Sequence, residues 1–337
     1  MSSIAVIGLD IAKRVFQVHG SNTSGAVLER RQLRRSDMLS YFGSLEPCLI
    51  GIEACATAHF WGRELQALGH DVRLIPPQYV KPYVKRNKTD AADAEAICEA
   101  VTRPGMHFVP VKTAEQQAVL SLHRIRDRLV RQRTMTGNAL RGHMAEFGIV
   151  EAQGIAGTKR LAAIVEDGED ARLPTLARRA LMSLVRQFYD TVERIEELGR
   201  ELTAWHKKNE TSRRLASMPG IGPILASALV ASVPDPSVFA SARQFAAWLG
   251  LVPRQHSTGG KARLGGISKR GDGYLRRLLV TGATAALFRS KEVRTRPWVR
   301  ELLKRRSAKV VAVALANKMA RIAWALMRDG AYYAKPA

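Results

Sequence analysis

Acidic residues are scarce in this chain of 337 residues, which holds 30 Asp and Glu against 53 Lys and Arg and has a net charge of +23. Such an excess typically serves a polyanion, because basic side chains that neutralise phosphates release condensed counterions. Cysteine is scarce too: the three cysteines form no C-x-x-C pair, which argues against a zinc site or a disulfide framework. Apolar residues reach 46%, enough for a buried core, which excludes a disordered basic tail.

Long apolar runs are missing as well. The longest uninterrupted one, residues 310–316, falls far short of the roughly 18 residues that span a bilayer. The N-terminus lacks the charged-then-apolar order of a signal peptide. We therefore expect a cytoplasmic protein without a membrane partner, and the length suggests two or three domains.

The positive charge is distributed unevenly along the chain. Residues 1–210 hold 30 basic and 25 acidic side chains, a net +5, whereas residues 211–337 hold 23 and 5, a net +18. This asymmetry predicts a nearly neutral part that keeps its carboxylates and a C-terminal part that meets phosphate.

The first hundred residues alternate short apolar runs with helical periods in the order β-β-β-α-β-α-β-α, which predicts an α/β layer with a mixed sheet. Asp10 follows the first run and Glu53 ends the fourth. Open α/β sheets bind ligands at strand carboxyl ends, so both acids are candidate site residues. Asp90 and Asp93, three residues apart, share one face of a predicted helix that runs to about residue 101.

Four carboxylates at one end of a sheet repel one another unless cations lie between them, and oxygen ligands suit Mg²⁺ or Mn²⁺. Pairs of such ions are common in phosphodiester chemistry. Each acid also has a structural alternative: Asp10 as a turn residue, Glu53 in a buried ion pair, Asp90 and Asp93 as helix-capping and first-turn acids. Their joint placement favours the metal site.

Two long helices are predicted in the middle of the chain. The first, about 114–147, carries arginines that either solvate it or follow a nucleic-acid backbone. The candidates on this helix are Arg124, Arg128 and Arg131. The second, about 175–208, repeats apolar residues from Phe188 to Trp205 at spacings of three and four, as in a heptad seam. This seam either pairs with a partner chain or packs within its own chain.

A glycine turn, S-M-P-G-I-G-P at 217–223, opens the basic C-terminal part. It resembles the hairpin of helix-hairpin-helix modules, in which glycines such as Gly220 and Gly222 let backbone N–H groups approach phosphate. The alternative is a plain turn between two packed helices.

Residues 253–277 are polar, glycine-dense and basic, and ordered loops of this length usually carry function. Ser257 and Thr258 place hydroxyls among cations, which a serine that attacks phosphorus needs for charge stabilisation. Spacing alone favours the alternative that these hydroxyls cap a helix or touch phosphate passively. The candidate nucleic-acid contacts here are Arg254, Lys261, Arg263, Lys269, Arg270, Arg276 and Arg277.

Six motifs occur in order over nearly the full chain: G-L-D-I-A-K at 8–13, G-I-E-A at 51–54, N-K-T-D-A-A-D-A at 87–94, S-M-P-G-I-G at 217–222, R-Q-F-A-A-W-L-G-L-V-P-R at 243–254 and S-K-R-G-D at 268–272. The combination resembles the DEDD transposases of the insertion-sequence family called "one-ten", above all its "eleven-eleven" branch.

The resemblance implies a RuvC-like (RNase H) α/β domain over residues 1–150, a connector and coiled-coil dimerisation segment over 151–210, and a mainly α-helical C-terminal transposase domain over 211–337. It also implies magnesium-dependent DNA recombination, directed by a structured non-coding guide RNA from the element. The protein would dimerise through the coiled coil and form a tetramer on DNA.

The resemblance also implies roles for single residues. The metal-binding tetrad would be Asp10, Glu53, Asp90 and Asp93. Ser257 would be the nucleophile that forms a covalent phosphoserine link to DNA. The spacing from Pro253 to the first loop hydroxyl departs by one residue from the family pattern, so Thr258 and Ser268 are alternative nucleophiles.

Two other classes of function stay open on the sequence. A RuvC-like nuclease or junction resolvase would cut with metal-activated water and leave free DNA ends, whereas serine chemistry leaves a protein-linked product. A non-enzymatic nucleic-acid binder would be indifferent to replacement of the four acids.

Overall fold

The computed structural model describes residues 3–84, 89–256, 258 and 263–334. Two of the predicted site residues, Ser257 and Lys261, lie outside the described residues. The chain forms two compact units: Met1–Gln117 with Ala231–Ser241, and Ala118–Val230 with Ala242–Ala337.

The first unit contains a five-stranded sheet in the order β3-β2-β1-β4-β5. Strands β1 to β3 pair antiparallel, whereas β1, β4 and β5 are parallel, so the predicted mixed α/β layer is confirmed. Its elements are β1 (Val6–Ile11), β2 (Val15–Ser21), β3 (Val27–Arg34), α1 (Met38–Gly43), β4 (Leu49–Glu53), α2 (Ala58–Ala67), β5 (Asp71–Ile75), α3 (Pro77–Val80) and α4 (Asp90–Val101).

The two faces of β1 have different partners. Ile7, Leu9 and Ile11 are buried in one core cluster with side chains of α1 and α2. Because successive strand residues point to opposite faces, Gly8 and Asp10 belong to the other face. Helix α4 covers that face, so the strand's period of two places Asp10 on the side of α4.

Two glycines let α4 approach the sheet closely. Gly8 and Gly51 are neighbours in the parallel register of β1 and β4. A Cβ atom on Gly8 would lie 2.0 Å from the carbonyl oxygen of Ala94, and one on Gly51 would lie 2.8 Å from Cβ of Val101. Any larger residue would displace the helix, so this pair of glycines sets the distance between α4 and the strands that carry Asp10 and Glu53.

The start of α1 differs from what the local sequence favours. Serine is a common N-cap residue, so Ser36 predicts a helix over 36–45 that it caps, but a 3-10 turn, Arg35–Asp37, precedes α1. The Ser36 hydroxyl donates to the Asp37 carboxylate at 2.7 Å, and a hydroxyl engaged by its neighbour in this way does not cap a helix.

The second unit is helical apart from a two-stranded ribbon, among the residues that the structure describes. Its elements are α5 (Ala114–Ala145, whose first turn belongs to the first unit), α6 (Ile155–Glu166), α7 (Thr175–Lys208), α8 (Glu210–Ala216), α9 (Pro223–Ser232, which ends in the first unit), α10 (Ala242–Trp248), β6 (Pro253–Gln255), β7 (Leu264–Ile267), α11 (Gly273–Arg289), α12 (Lys291–Thr295), α13 (Pro297–Arg305) and α14 (Ala308–Asp329). Both long helices are confirmed.

The apolar seam of α7 is largely covered by its own chain. Phe188, Ile195 and Leu202 are no more than 5% exposed. Further toward the N-terminus, Leu181 and Val185 join a core cluster with side chains of α5 and α6. Packing within the chain therefore accounts for these buried seam positions, as the second of our two sequence interpretations has it.

Helix α14 is long and apolar enough to cross a membrane by length and composition, although its uninterrupted apolar run is short. Half of its most apolar window is buried inside the protein, where Leu315, Ala316 and Met319 are at most 1% exposed. It packs against α10 and α11, as the core helix of the second unit.

Candidate active site

Three aspartates converge on the α4 side of the sheet. Asp10, Asp90 and Asp93 each offer a carboxylate oxygen, and these oxygens lie within 4.8 Å of one another. Asp10 and Asp93 are half-buried and Asp90 is exposed. Asp10 thus forms one cluster of oxygen ligands with two residues that follow it by 80 and 83 positions in the sequence.

The first turn of α4 delivers two of the aspartates. Thr89 caps this helix, since its side-chain oxygen accepts from the N–H of Ala92 at 3.2 Å. Thr89, and not Asp90, is therefore the N-cap of α4, which excludes the alternative that Asp90 serves to cap this helix. The helix dipole favours acids in a first turn, and this attraction offsets part of the repulsion between Asp90 and Asp93.

Glu53 lies in the same region of the sheet as Asp10. Glu53 is the last residue of β4. The parallel register pairs Leu9 with Ile52, so the residues that follow them, Asp10 and Glu53, both belong to the face of the sheet that α4 covers. Among the described residues, the cluster within 4.8 Å contains the aspartates without Glu53. Burial raises the pKa of the Cys55 thiol, and the carboxylates of Glu53 and Asp10 raise it further, so both acids act on the same small region.

The donor set fits a divalent cation. Carboxylate oxygens are the ligands that Mg²⁺ and Mn²⁺ prefer, and no nitrogen or sulfur donor belongs to the described cluster. Three acids this close are mutually repulsive, and a bound cation relieves that repulsion. Asp10, Asp90 and Asp93 would hold such an ion, with Glu53 adjacent.

The polar segment at 253–277, which we predicted as a loop, contains an exposed β-ribbon. Strands β6 and β7 pair antiparallel, Pro253 with Ile267 and Gln255 with Leu264, and the N–H of His256 donates to the carbonyl of Arg263 at 2.9 Å. The sequence between the two strands includes Ser257, which is outside the described residues, and Thr258, which is exposed.

Two glycines join the ribbon tightly to its base. Gly250 and Gly271 have φ angles of +70° and +83°, which glycine adopts without strain. A Cβ atom on Gly250 would lie 2.0 Å from the carbonyl oxygen of Arg270, and one on Gly271 would lie 1.9 Å from that of Trp248. The two ends of the ribbon are therefore in backbone contact.

Arg276 strengthens the same base. Its Nη1 donates to the carbonyl of Leu249 at 3.0 Å and to that of Arg270 at 3.2 Å. A guanidinium bonded to both ends of the ribbon supports its geometry. Arg276 was also predicted to contact nucleic acid. Its Nη1 has partners inside the protein, and the contact with nucleic acid stays a prediction.

The other residues that we predicted to contact nucleic acid fall into two groups: some are already paired or packed within the protein, and others are exposed. Asp127 forms ion pairs with two of them, Arg131 at 2.6 Å and Arg277. Gly220 packs in a turn where a Cβ would lie 2.8 Å from the carbonyl of Gly282, whereas Gly222 is exposed with open space beside it. The remaining described candidates are all exposed: Arg124, Arg128, Arg254, Arg263, Lys269 and Arg270.

Sequence reasoning missed a buried polar network in the second unit. His123 of α5 is 1% exposed; its Nδ1 lies 2.9 Å from the Tyr274 hydroxyl and its Nε2 lies 3.1 Å from Oγ of Ser227. Ser227 donates to the carbonyl of Pro223 at 2.7 Å, so its Oγ is able to accept from Nε2–H. A neutral imidazole with its proton on Nε2 would accept at Nδ1 from the Tyr274 hydroxyl. The apolar neighbours of His123 on α5 were the only sequence signal.

Burial, and secondarily the charge of Arg126, lower the pKa of His123 to about 4, while burial raises the pKa of Tyr274 to about 12. An unfolded histidine titrates near 6.5. The contribution of His123 to the unfolding free energy is therefore fully present above pH 6.5 and is lost as the pH falls toward 4. In that range the unfolded chain binds a proton at His123, whereas the folded protein does not.

We expect the pH dependence of unfolding to change when His123 is replaced. From pH 7.5 to pH 5 this residue should cost the wild type about 2 kcal/mol of unfolding free energy, given its two pKa values. We expect His123→Gln to be less stable than the wild type at both pH values. Its unfolding free energy, measured in urea, should lack the pH-dependent part that comes from His123. His143→Gln, an exposed histidine on the same helix, should behave as wild type. Equal pH dependence in all three proteins would contradict this assignment.

Comparison with known proteins agrees with the geometry. Residues 7–149 match the family model described as a DEDD transposase of the IS110 type, and residues 212–300 match the model "Transposase IS116/IS110/IS902 family". The first match contains all four predicted acids and the second contains the β-ribbon.

Full-length relatives carry the same description. The chain is 53% identical to a "Probable family 20 transposase" of Pseudomonas aeruginosa, over 96% of this chain and 97% of that protein. It is 45% identical to the transposase for insertion sequence element IS1328 of Yersinia enterocolitica, over 99% of this chain and 100% of that protein. It is 42% identical to the transposase for IS1111A of Coxiella burnetii, over 97% and 90%.

Transposases bind DNA, and DEDD domains typically use divalent metal ions. With an aspartate cluster that fits such an ion, the chain belongs to the IS116/IS110/IS902 family of transposases, in its IS1111-like branch, and is a DNA transposase.

Proposed function

We propose that the protein breaks and rejoins DNA strands at a Mg²⁺ site formed by Asp10, Asp90 and Asp93, with Glu53 as a further ligand. The observation that carries this proposal is the approach of three carboxylate oxygens to within 4.8 Å of one another. When bound, the divalent ion would supply charge stabilisation at the reacting phosphate. Mn²⁺ has the same ligand preference and is the expected substitute.

The second part of the proposal concerns the nucleophile. Ser257 would attack a DNA phosphorus through its hydroxyl oxygen, forming an O–P bond as the bond to one sugar oxygen breaks. The serine proton passes to solvent, and the departing sugar oxygen takes one up. The reverse attack by a sugar hydroxyl on a new strand restores serine. Support comes from the exposed ribbon and from nearby exposed cations, Arg254 and Arg263 among them.

The third part concerns partners, and it rests on the family resemblance. A structured non-coding RNA of the element would guide the choice of DNA. The protein would form dimers, and two dimers would form a tetramer on DNA. Because Phe188, Ile195 and Leu202 are already buried in their own chain, dimerisation would use the half-buried seam positions Val192 and Leu198.

A denaturing gel tests the proposed chemistry directly. End-labelled element DNA incubated with the protein, Mg²⁺ and guide RNA should give a protein-linked product that proteinase digestion converts to a short adduct. Chelation of the metal should abolish the product, and Mn²⁺ should restore it. Cleaved DNA with free ends and no adduct would instead support the alternative, a metal-dependent nuclease or junction resolvase that uses water.

A further inference from the structure

We propose that a cleft between α12 and α13 binds the sugar–phosphate backbone of DNA. The cleft has a volume of about 450 Å³ and is lined by Arg294, Thr295, Arg300, Leu303 and Lys304. It belongs to the second unit alone. None of these residues is among the acids, the ribbon or the contacts predicted from sequence, so the inference is independent of the metal site and of the nucleophile.

The helices bring the cations to the cleft from two sides. Arg300 and Lys304, four residues apart on α13, share one face of that helix, while Val299 is fully buried and anchors it. Arg294 comes from the last turn of α12. Three exposed positive side chains thus converge on one opening.

Local acids leave two of these three cations unpaired. Residues 289–309 hold nine Lys and Arg but two acids, Glu292 and Glu301. Glu292 accepts from Arg296 at 2.9 Å, and Glu301 accepts from Lys304 at 2.7 Å in an exposed pair. Within the part of the chain that the structure describes, the side chains of Arg294 and Arg300 form no ion pair or hydrogen bond. Two guanidinium groups without protein partners thus line one cleft, and the planar guanidinium group matches the geometry of phosphate oxygens.

The lining identifies the kind of anion. Leu303 and the carbon atoms of Thr295 add apolar surface to the cleft, and the Thr295 hydroxyl is occupied by the carbonyls of Lys291 and Glu292 at 3.0 and 3.2 Å. Such a site suits a phosphodiester whose sugar lies on the apolar floor while guanidinium groups hold the phosphate oxygens. Because the chain is a DNA transposase, DNA is the occupant that we assign.

The salt dependence of DNA binding tests this assignment. Each phosphate contact contributes about 0.9 to the slope of log affinity against log salt concentration. Arg294→Gln with Arg300→Gln should therefore lower the slope for a random duplex, measured by fluorescence anisotropy, by about 2. The matched control is Arg179→Gln with Arg186→Gln, two exposed arginines of α7 that remove the same charge. This control should keep the wild-type slope.

A charge-retaining variant completes the experiment. Arg294→Lys with Arg300→Lys keeps both positive charges, so it should retain the wild-type slope while showing that the sites tolerate substitution. The proposal is overturned if the glutamine variant keeps the wild-type slope, if the α7 control loses as much, or if the lysine variant loses as much. A loss seen with single-stranded RNA but not with duplex DNA would also overturn it, because the cleft would then be an RNA site.

Discussion

Replacement of Asp93 by asparagine should lower the rate of DNA strand cleavage by about 10²- to 10³-fold, the order of magnitude for loss of a major electrostatic stabiliser. Asparagine keeps the size of the side chain and its place in the first turn of α4, but it removes the charge that a divalent ion needs. The measurement is the rate of product formation in Mg²⁺ under single-turnover conditions. An unchanged rate would exclude Asp93 from the site.

The same variant has a second readout that does not depend on activity. Because Asp93 shares a cluster with Asp10 and Asp90, its neutralisation should relieve repulsion and raise the melting temperature of the metal-free protein. Added Mn²⁺ should stabilise the wild type and have little effect on the variant. Glu99→Gln is the matched control, since Glu99 lies on the same helix but pairs with Arg103. It should retain both cleavage and the response to metal.

Replacement of Ser257 by alanine should abolish covalent protein–DNA adducts altogether, because alanine has no oxygen with which to attack phosphorus. Duplex binding and the stabilisation by Mn²⁺ should persist, since neither depends on that hydroxyl. The measurement is the labelled protein band on a denaturing gel, with the modified peptide identified by mass spectrometry.

Two neighbouring hydroxyls provide the controls for this experiment. Thr258→Ala and Ser268→Ala should each leave the adduct in place. An adduct that survives Ser257→Ala but disappears with one of these variants would move the nucleophile to that residue. Persistent cleavage without any adduct in the wild type would favour attack by water.

Local signals in the sequence were sufficient for the long elements. Helix α4 runs over Asp90–Val101 and α7 over Thr175–Lys208, as predicted, because acids in a first helical turn and a sustained apolar period are signals that depend on nearby residues alone. The β-ribbon was not predicted, because its sequence lacks such local signals. Strands of three and four residues, one of them containing two glycines, show no alternation from which a strand can be recognised.

The candidate site was predictable in composition but not in geometry. The four acids stand at strand ends and in a first helical turn, which is visible in the sequence. The distances between them are not visible there, and three aspartates form the close cluster, to which Glu53 does not belong among the described residues. Likewise, the sequence could not tell that Arg276 bonds to the base of the ribbon or that Asp127 occupies Arg131 and Arg277.

The sequence by itself determined the scarcity of acids, their retention in the first 210 residues, and the concentration of positive charge after residue 210. These features, together with the motifs, indicated a nucleic-acid enzyme. The tertiary structure decided which charges remain available. Gly8 and Gly51 let α4 bring two aspartates to Asp10, and ion pairing leaves Arg294 and Arg300 for an external phosphate. Charge is a property of composition, whereas availability depends on which side chains folding brings within a few ångströms of one another.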